Sequence, residues 1–109
     1  MRPGIVTDAA ALSLPLEPVA AAQVREGSPA TGYVELTDEI GVWEHTPGTS
    51  TDVEADEVFV VLSGAATLSF DVPELPPIEL RPGSVVRLEA GMRTVWTVHE
   101  TLRKVYLAG

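Results

Sequence analysis

The chain contains no cysteine. That one absence excludes disulfides, thiolate metal sites and cysteine nucleophiles together. Basic residues are also scarce. Seven Lys and Arg stand against sixteen Asp and Glu, for a formal net charge of −9 over 109 residues. Such a charge repels phosphate backbones, so nucleic acid is not an expected partner. No apolar run approaches the roughly 18–20 residues of a membrane-spanning helix, so no membrane partner is expected either. The alanine-rich start, MRPGIVTDAAALSLPLEPVAAA, carries Arg2 as its only basic residue and is interrupted by Asp8, Pro15 and Glu17. It is expected to be mature sequence rather than an export leader, which with the lack of cysteine points to the cytoplasm. There is no glycine-rich phosphate loop. The Gly-Ser pairs at 27–28 and 83–84 lack the lysine of a phosphate cradle and mark plain turns.

What remains is an ordinary globular composition, 45% hydrophobic and 21% charged, at a length that suits one domain. Residues 1–30 are rich in Ala and Pro. Prolines at 3, 15, 18 and 29 rule against a long helix, although a short helical turn fits 18–24. This segment is expected to be an arm, packed on the domain or swapped onto another, or paired with an edge strand. The domain proper then spans 31–109.

From Tyr33 the pattern becomes short runs rich in Val, Thr and aromatics, punctuated by Gly and Pro: 33–36, 40–45, 56–62, 65–72, 78–80, 84–89, 94–100 and 102–107. Eight such runs predict an all-β sandwich or barrel. RPGS at 81–84 has the Pro-Gly centre of a type II turn. VFVVL (58–62) is apolar on both faces, so its strand is expected to be covered on both sides. The stretch before it, through D-V-E-A-D-E (52–57), is expected to be a solvated acidic loop.

Four pieces in order, WEHTPG, DEVFVVLSG, RPGSVVRLEAGMRTVW and ETLRKVYL, resemble the cupin superfamily, and within it the small single-domain cupins similar to the cupin domain of ureidoglycine aminohydrolase. Glu57 followed by Gly64 resembles the end of the first cupin motif, and Gly83 followed by Ala90-Gly91 the start of the second. The resemblance covers about residues 33–107. It implies a cupin-type double-stranded β-helix, that is, a jelly-roll barrel with its ligand site inside and an irregular N-terminal arm. It also implies a common tendency to form homodimers. The family's metal site uses two histidines one residue apart, then a glutamate, then a histidine of the second motif. Here only Glu57 is in place. The paired histidine positions fall at Ser50 and Asp52, or at Thr51 and Val53, and the second-motif position falls at Thr94. No metal or other cofactor of the family's standard kind is expected. A non-standard divalent site would draw on Glu57 with Asp52, Glu54, Asp56 or His45.

Strand alternation extends the candidate site. If Glu57 faces inward, so does Phe59; if Thr94 does, so does Trp96. Trp43 and His45 share a face, and Met92 and Tyr106 lie nearby. The candidate site therefore comprises Glu57 as general base and Trp43, His45, Phe59, Met92, Thr94, Trp96 and Tyr106 as ligand-binding residues. His99 falls on the face opposite Thr94. An inward Glu57 calls for a partner such as Arg87 or His45, because an unpaired buried carboxylate is costly. At least one of Arg103 and Lys104, on alternate faces, is expected at the surface. Three functions fit: a small-molecule-binding cupin with a degenerate metal site, either a plain binder or a metal-independent enzyme on a small polar metabolite; a metal-dependent enzyme of the ureidoglycine aminohydrolase type; or a non-catalytic dimeric sensor or interaction module.

Overall fold

The computed structural model describes all of residues 1–109. Its strands are β1 (Glu17–Pro18), β2 (Val24–Glu26), β3 (Ala30–Glu35), β4 (Ile40–His45), β5 (Gly48–Val53), β6 (Glu57–Val72), β7 (Leu75–Leu80), β8 (Val85–Leu88) and β9 (Arg93–Ala108), with one 3-10 turn at Ala21–Gln23. The architecture is the all-β jelly roll expected from the strand pattern. It is built on β6 and β9, each sixteen residues long and paired antiparallel along most of their length.

The first half of β6 and the second half of β9 run between β8 and β4, giving the order β1-β3-β4-β9-β6-β8. The other halves run between β7 and β5, giving β2-β5-β9-β6-β7. One sheet thus curls into two facing halves. The apolar core lies between them, around Phe59, Val61, Leu68, Leu88, Trp96 and Leu102.

The sequence breaks expected at Ser63–Gly64 and between 100 and 102 prove to be corners within single strands. The β6–β9 ladder shifts register between Val61 and Ser63 and again between Ser63 and Ala65. Such bulges bend a strand without ending it. Gly64 sits at the bend with φ +94°, and a Cβ there would lie 2.1 Å from the Thr101 carbonyl oxygen. Gly64→Ala is therefore expected to cost about 2 kcal/mol from backbone conformation alone, plus the displacement of β9. Chemical denaturation would show it as a lower midpoint at an unchanged slope.

The acidic loop expected before Glu57 is instead mostly strand. Gly48–Val53 forms β5, paired on both sides, with β9 along six residues and with β2 of the arm. Only residues 54–56 connect it to β6. Ladder bonding to two neighbours, together with Thr and Val at alternate positions, outweighs the acidic character that suggested a loop. The turn at 81–84 forms as expected, with Gly83 at φ +93° and the Ser84 N–H on the Arg81 carbonyl at 2.9 Å.

The first thirty residues contribute an edge strand to each half: β1 lies against β3 and β2 against β5. The segment between them straps one side of the barrel. Further upstream the arm crosses the outer face of β4 and β9. The Arg103 guanidinium donates to the Ala9 carbonyl at 3.0 Å and to Glu44 Oε1 at 2.9 and 3.0 Å. Val42, which alternation places on this outer face, is fully buried. This cover corrects the expectation for Arg103 and Lys104. Both are buried, Lys104 inside the barrel and Arg103 beneath the arm.

Candidate functional site

Strand register places the inward side chains in rows. Across the first half of the sheet, Thr31, His45 and Leu102 form one row. Tyr33, Trp43, Lys104 and Val61 form the next, and Glu35, Gly41, Tyr106 and Phe59 the one after. Across the facing half run Ser50, Trp96 and Leu68, and beside them Asp52, Thr94 and Phe70. Toward β6, β7 and β8 these rows are solid apolar core. Toward β3, β4 and β5 they open into two cavities of about 860 and 270 Å³ that share Tyr33, Trp43, Asp52 and Trp96 as walls. Together they form one cleft between the sheet halves, closed along part of its rim by Pro15–Gln23 of the arm. Gly41 leaves a gap in its row that the Tyr106 ring fills; a Cβ at Gly41 would come within 2.3 Å of that ring.

Lys104 lies at the bottom of the cleft and is 4% exposed. Its Nζ donates to Glu57 Oε1 at 2.9 Å and stands 4.4 Å from the Phe59 ring centroid, 4.6 Å from that of Trp43 and 4.8 Å from that of Trp96. An ammonium is attracted to the negative faces of such rings. Glu57 is thus inward and paired, but its partner is Lys104, not Arg87 or His45. Arg87 instead lies on an exposed face beside Glu89.

Glu54, in the short connection after β5, is 8% exposed. Its backbone is pinned by the Met92 carbonyl and the Gly91 N–H. Its Oε2 accepts from Thr94 Oγ1 at 2.6 Å and from Trp96 Nε1 at 3.1 Å. Oε1 has no protein partner and opens to the smaller cavity. Burial raises the pKa of Glu54 above the ordinary glutamate range, and the neighbouring charge of Asp52 adds to the rise. The Thr94 and Trp96 donors and the Lys104 charge oppose it. Asp52, on the cleft wall, is likewise raised, first by loss of water.

His45 is buried and spoken for at both ring nitrogens. The Thr46 carbonyl lies 2.6 Å from Nδ1 and Ser50 Oγ lies 2.8 Å from Nε2. A carbonyl can only accept, so Nδ1 carries the proton and Nε2 accepts from Ser50. Burial lowers the His45 pKa, which keeps the ring neutral.

Of the residues picked from sequence, Glu57, Trp43, Trp96 and Tyr106 line the cleft, and His45 lines its larger part. Phe59 and Thr94 stand directly behind it, as the floor under Lys104 and as the donor to Glu54. Met92 is set apart: it packs on the core, and its sulfur accepts from the Glu89 N–H. His99 is exposed, on the outer face beside Thr67. Sequence reasoning missed Lys104 and underrated Glu54. The signal for Lys104 was present, since it lies two residues before Tyr106 and must share its face.

A metal of the family kind does not fit these residues. Of the two registers the sequence allows, the inward-facing one puts Ser50 and Asp52, in the rows of Trp96 and Thr94, with Glu57 and Thr94 at the four ligand positions. One of the two carboxylates is bound by an ammonium, and Ser50 is bound to His45. No three His, Asp or Glu side chains converge on one point, whereas zinc, iron and manganese require converging nitrogen and oxygen donors.

Comparison with known proteins agrees with this architecture. The sequence matches the family model of the EutQ-like cupin domain over residues 34–106. Among solved structures, a DUF861-family protein from Pseudomonas syringae pv. tomato superposes with a TM-score of 0.75 at 23% identity. The match covers 92% of this chain and 45% of that one. A protein of unknown function from Rhizobium leguminosarum gives 0.60 at 27% identity, over 74% and 80% of the two chains. The EutQ protein of Clostridium difficile gives 0.62 at 16% identity, over 72% and 67%. No curated protein matches the sequence. A jelly roll whose inner strands carry the two motif remnants, matched by that family model over two thirds of its length, belongs to the EutQ-like cupin domain family of the cupin superfamily.

Proposed function

We propose that this domain binds a small polar metabolite in the cleft without a metal, and that Glu54 is positioned to exchange a proton with it. The observation that carries the reading is the Lys104 ammonium. It supplies a fixed positive charge beside Glu57, among the ligand positions where the family resemblance would put a metal ion. Apolar and aromatic walls with a few fixed polar groups are the usual make-up of a small-molecule site. With Oε2 of Glu54 accepting two hydrogen bonds, a proton on this carboxyl belongs on Oε1, the oxygen open to the cleft. A carboxyl whose pKa is raised by burial holds a proton more readily than an ordinary glutamate, which suits a group that gives and takes one. Glu57, the general base expected from sequence, is held by Lys104 and serves better as its counter-ion.

Purified protein is expected to hold no stoichiometric Mn, Zn or Fe after dialysis, and its Tm should not respond to chelator. A bound metal surviving dialysis would overturn the reading. It would favour the alternative raised by the sequence resemblance, an activity of the ureidoglycine aminohydrolase type. A metabolite present at 100 times its Kd should stabilise the domain by about 2.7 kcal/mol, a Tm rise of roughly 10 °C or more at this length.

A further inference from the structure

The cleft is short of positive charge. Carboxylates of Glu17, Glu35, Asp52, Glu54 and Glu57 line its two parts, and the only cationic side chain among the lining residues is Lys104, which is already bound to Glu57. No arginine and no second lysine faces the space, so an anionic ligand would meet carboxylates with nothing to bind it. Among the carboxylate oxygens without a protein partner, one belongs to Asp52 and one to Glu54. Asp52 Oδ1 accepts from the Val53 N–H at 2.8 Å, which leaves its other oxygen without a protein partner, and Glu54 Oε1 is likewise free. The rings of Tyr33, Trp43 and Tyr106 border the same space. At the bottom of the cleft one ammonium, that of Lys104, already lies against three aromatic rings, those of Trp43, Phe59 and Trp96.

From this arrangement we propose that the cleft selects a small cationic amine, whose ammonium is bound by Asp52 and Glu54 Oε1 between the Tyr33 and Trp43 rings. Such a ligand brings the missing cation, and carboxylate pairing with aromatic enclosure is how proteins hold ammonium groups. This inference rests on the metal-free binding reading above and narrows it to a ligand class.

The test uses the full chain at constant ionic strength, titrated with propylammonium chloride, choline chloride, sodium butyrate, sodium phosphate and butyramide. Indole resonances of Trp43 and Trp96 and the Tm report binding. The ammonium probes are expected to saturate and shift the indole signals, while butyrate and phosphate leave them unchanged. Asp52→Asn keeps the Oδ1 acceptor for the Val53 N–H and so preserves the fold. It should weaken ammonium binding about tenfold, the loss expected for one charged hydrogen bond. Tighter binding of butyrate, phosphate or the neutral amide than of the ammonium probes would overturn the amine assignment and leave the small-molecule reading standing. So would ammonium binding unaffected by Asp52→Asn. Silence from every probe would sink the amine assignment, and if a wider screen of metabolites was also silent, the small-molecule reading would fall with it.

Discussion

Lys104→Met should destabilise the domain by about 3–5 kcal/mol, a fall in Tm of roughly 15–30 °C for a chain of this length. The substitution keeps the length of the side chain and removes its charge. Glu57, whose side chain is 14% exposed, would then be a carboxylate with no counter-ion, close to Asp52 and Glu54. Breaking a buried pair from one side is costly because the remaining charge stays out of water, whereas removing both charges is nearly neutral. The double variant Lys104→Met/Glu57→Gln should therefore regain most of the lost stability. That recovery separates the charge from the packing of the stem against Phe59 and Trp96. A single variant as stable as the wild type, or a double variant no better than the single, would show that the ion pair does not hold the barrel floor. Denaturant titration of the four proteins of the cycle gives the coupling directly.

This pair also shows where the sequence could be read and where it could not. Period-two alternation put Glu57 with Phe59 and Thr94 with Trp96 on shared faces, and in the structure both are inner faces. The same rule links Lys104 to Tyr106, yet charge made a surface position look natural for it. Only the two neighbouring strands, β6 bringing Glu57 and β4 bringing Trp43, make burial of that lysine favourable, and such contacts between distant residues leave no local trace. The same holds for Arg103, whose outer-face position would be solvent-exposed without the arm laid across it. Strands of ordinary length were legible from Gly and Pro punctuation. The two long strands were not, because Gly64 marks a bend as readily as an end. β5 was hidden by Asp52 and the acids that follow it, Glu54, Asp56 and Glu57. Its ladder partners on β9, Trp96 and Thr94 among them, lie forty or more residues away, and those on β2 belong to the arm.

Glu54 is the residue whose replacement should most change the chemistry of the cleft. Glu54→Gln keeps an acceptor for the Thr94 hydroxyl and the Trp96 indole N–H but can neither ionise nor deliver a proton. If Glu54 is the proton-exchanging group, turnover of a cleft substrate should fall by roughly 10²–10⁴-fold, with the pH–rate profile losing the limb that Glu54 sets. Stability should move the other way. A carboxyl whose folded pKa is raised binds its proton more tightly in the folded than in the unfolded chain. Its contribution is complete below the ordinary glutamate value and is lost as pH rises through the raised value. Asp52 acts with the same sign, and its contribution persists in the variant. His45, lowered by burial, acts oppositely: its contribution is present above the ordinary histidine value and is lost as pH falls through the lowered one. Below the ordinary glutamate value the variant should thus gain nothing over the wild type; its relative stability should climb as pH rises from there and level off once pH passes the raised value. Parallel Tm–pH curves for the two proteins would remove Glu54 from the proton-carrying role. A variant that gains stability at high pH and loses turnover would instead locate, in one side chain, both a cost to the fold and the chemistry of the site.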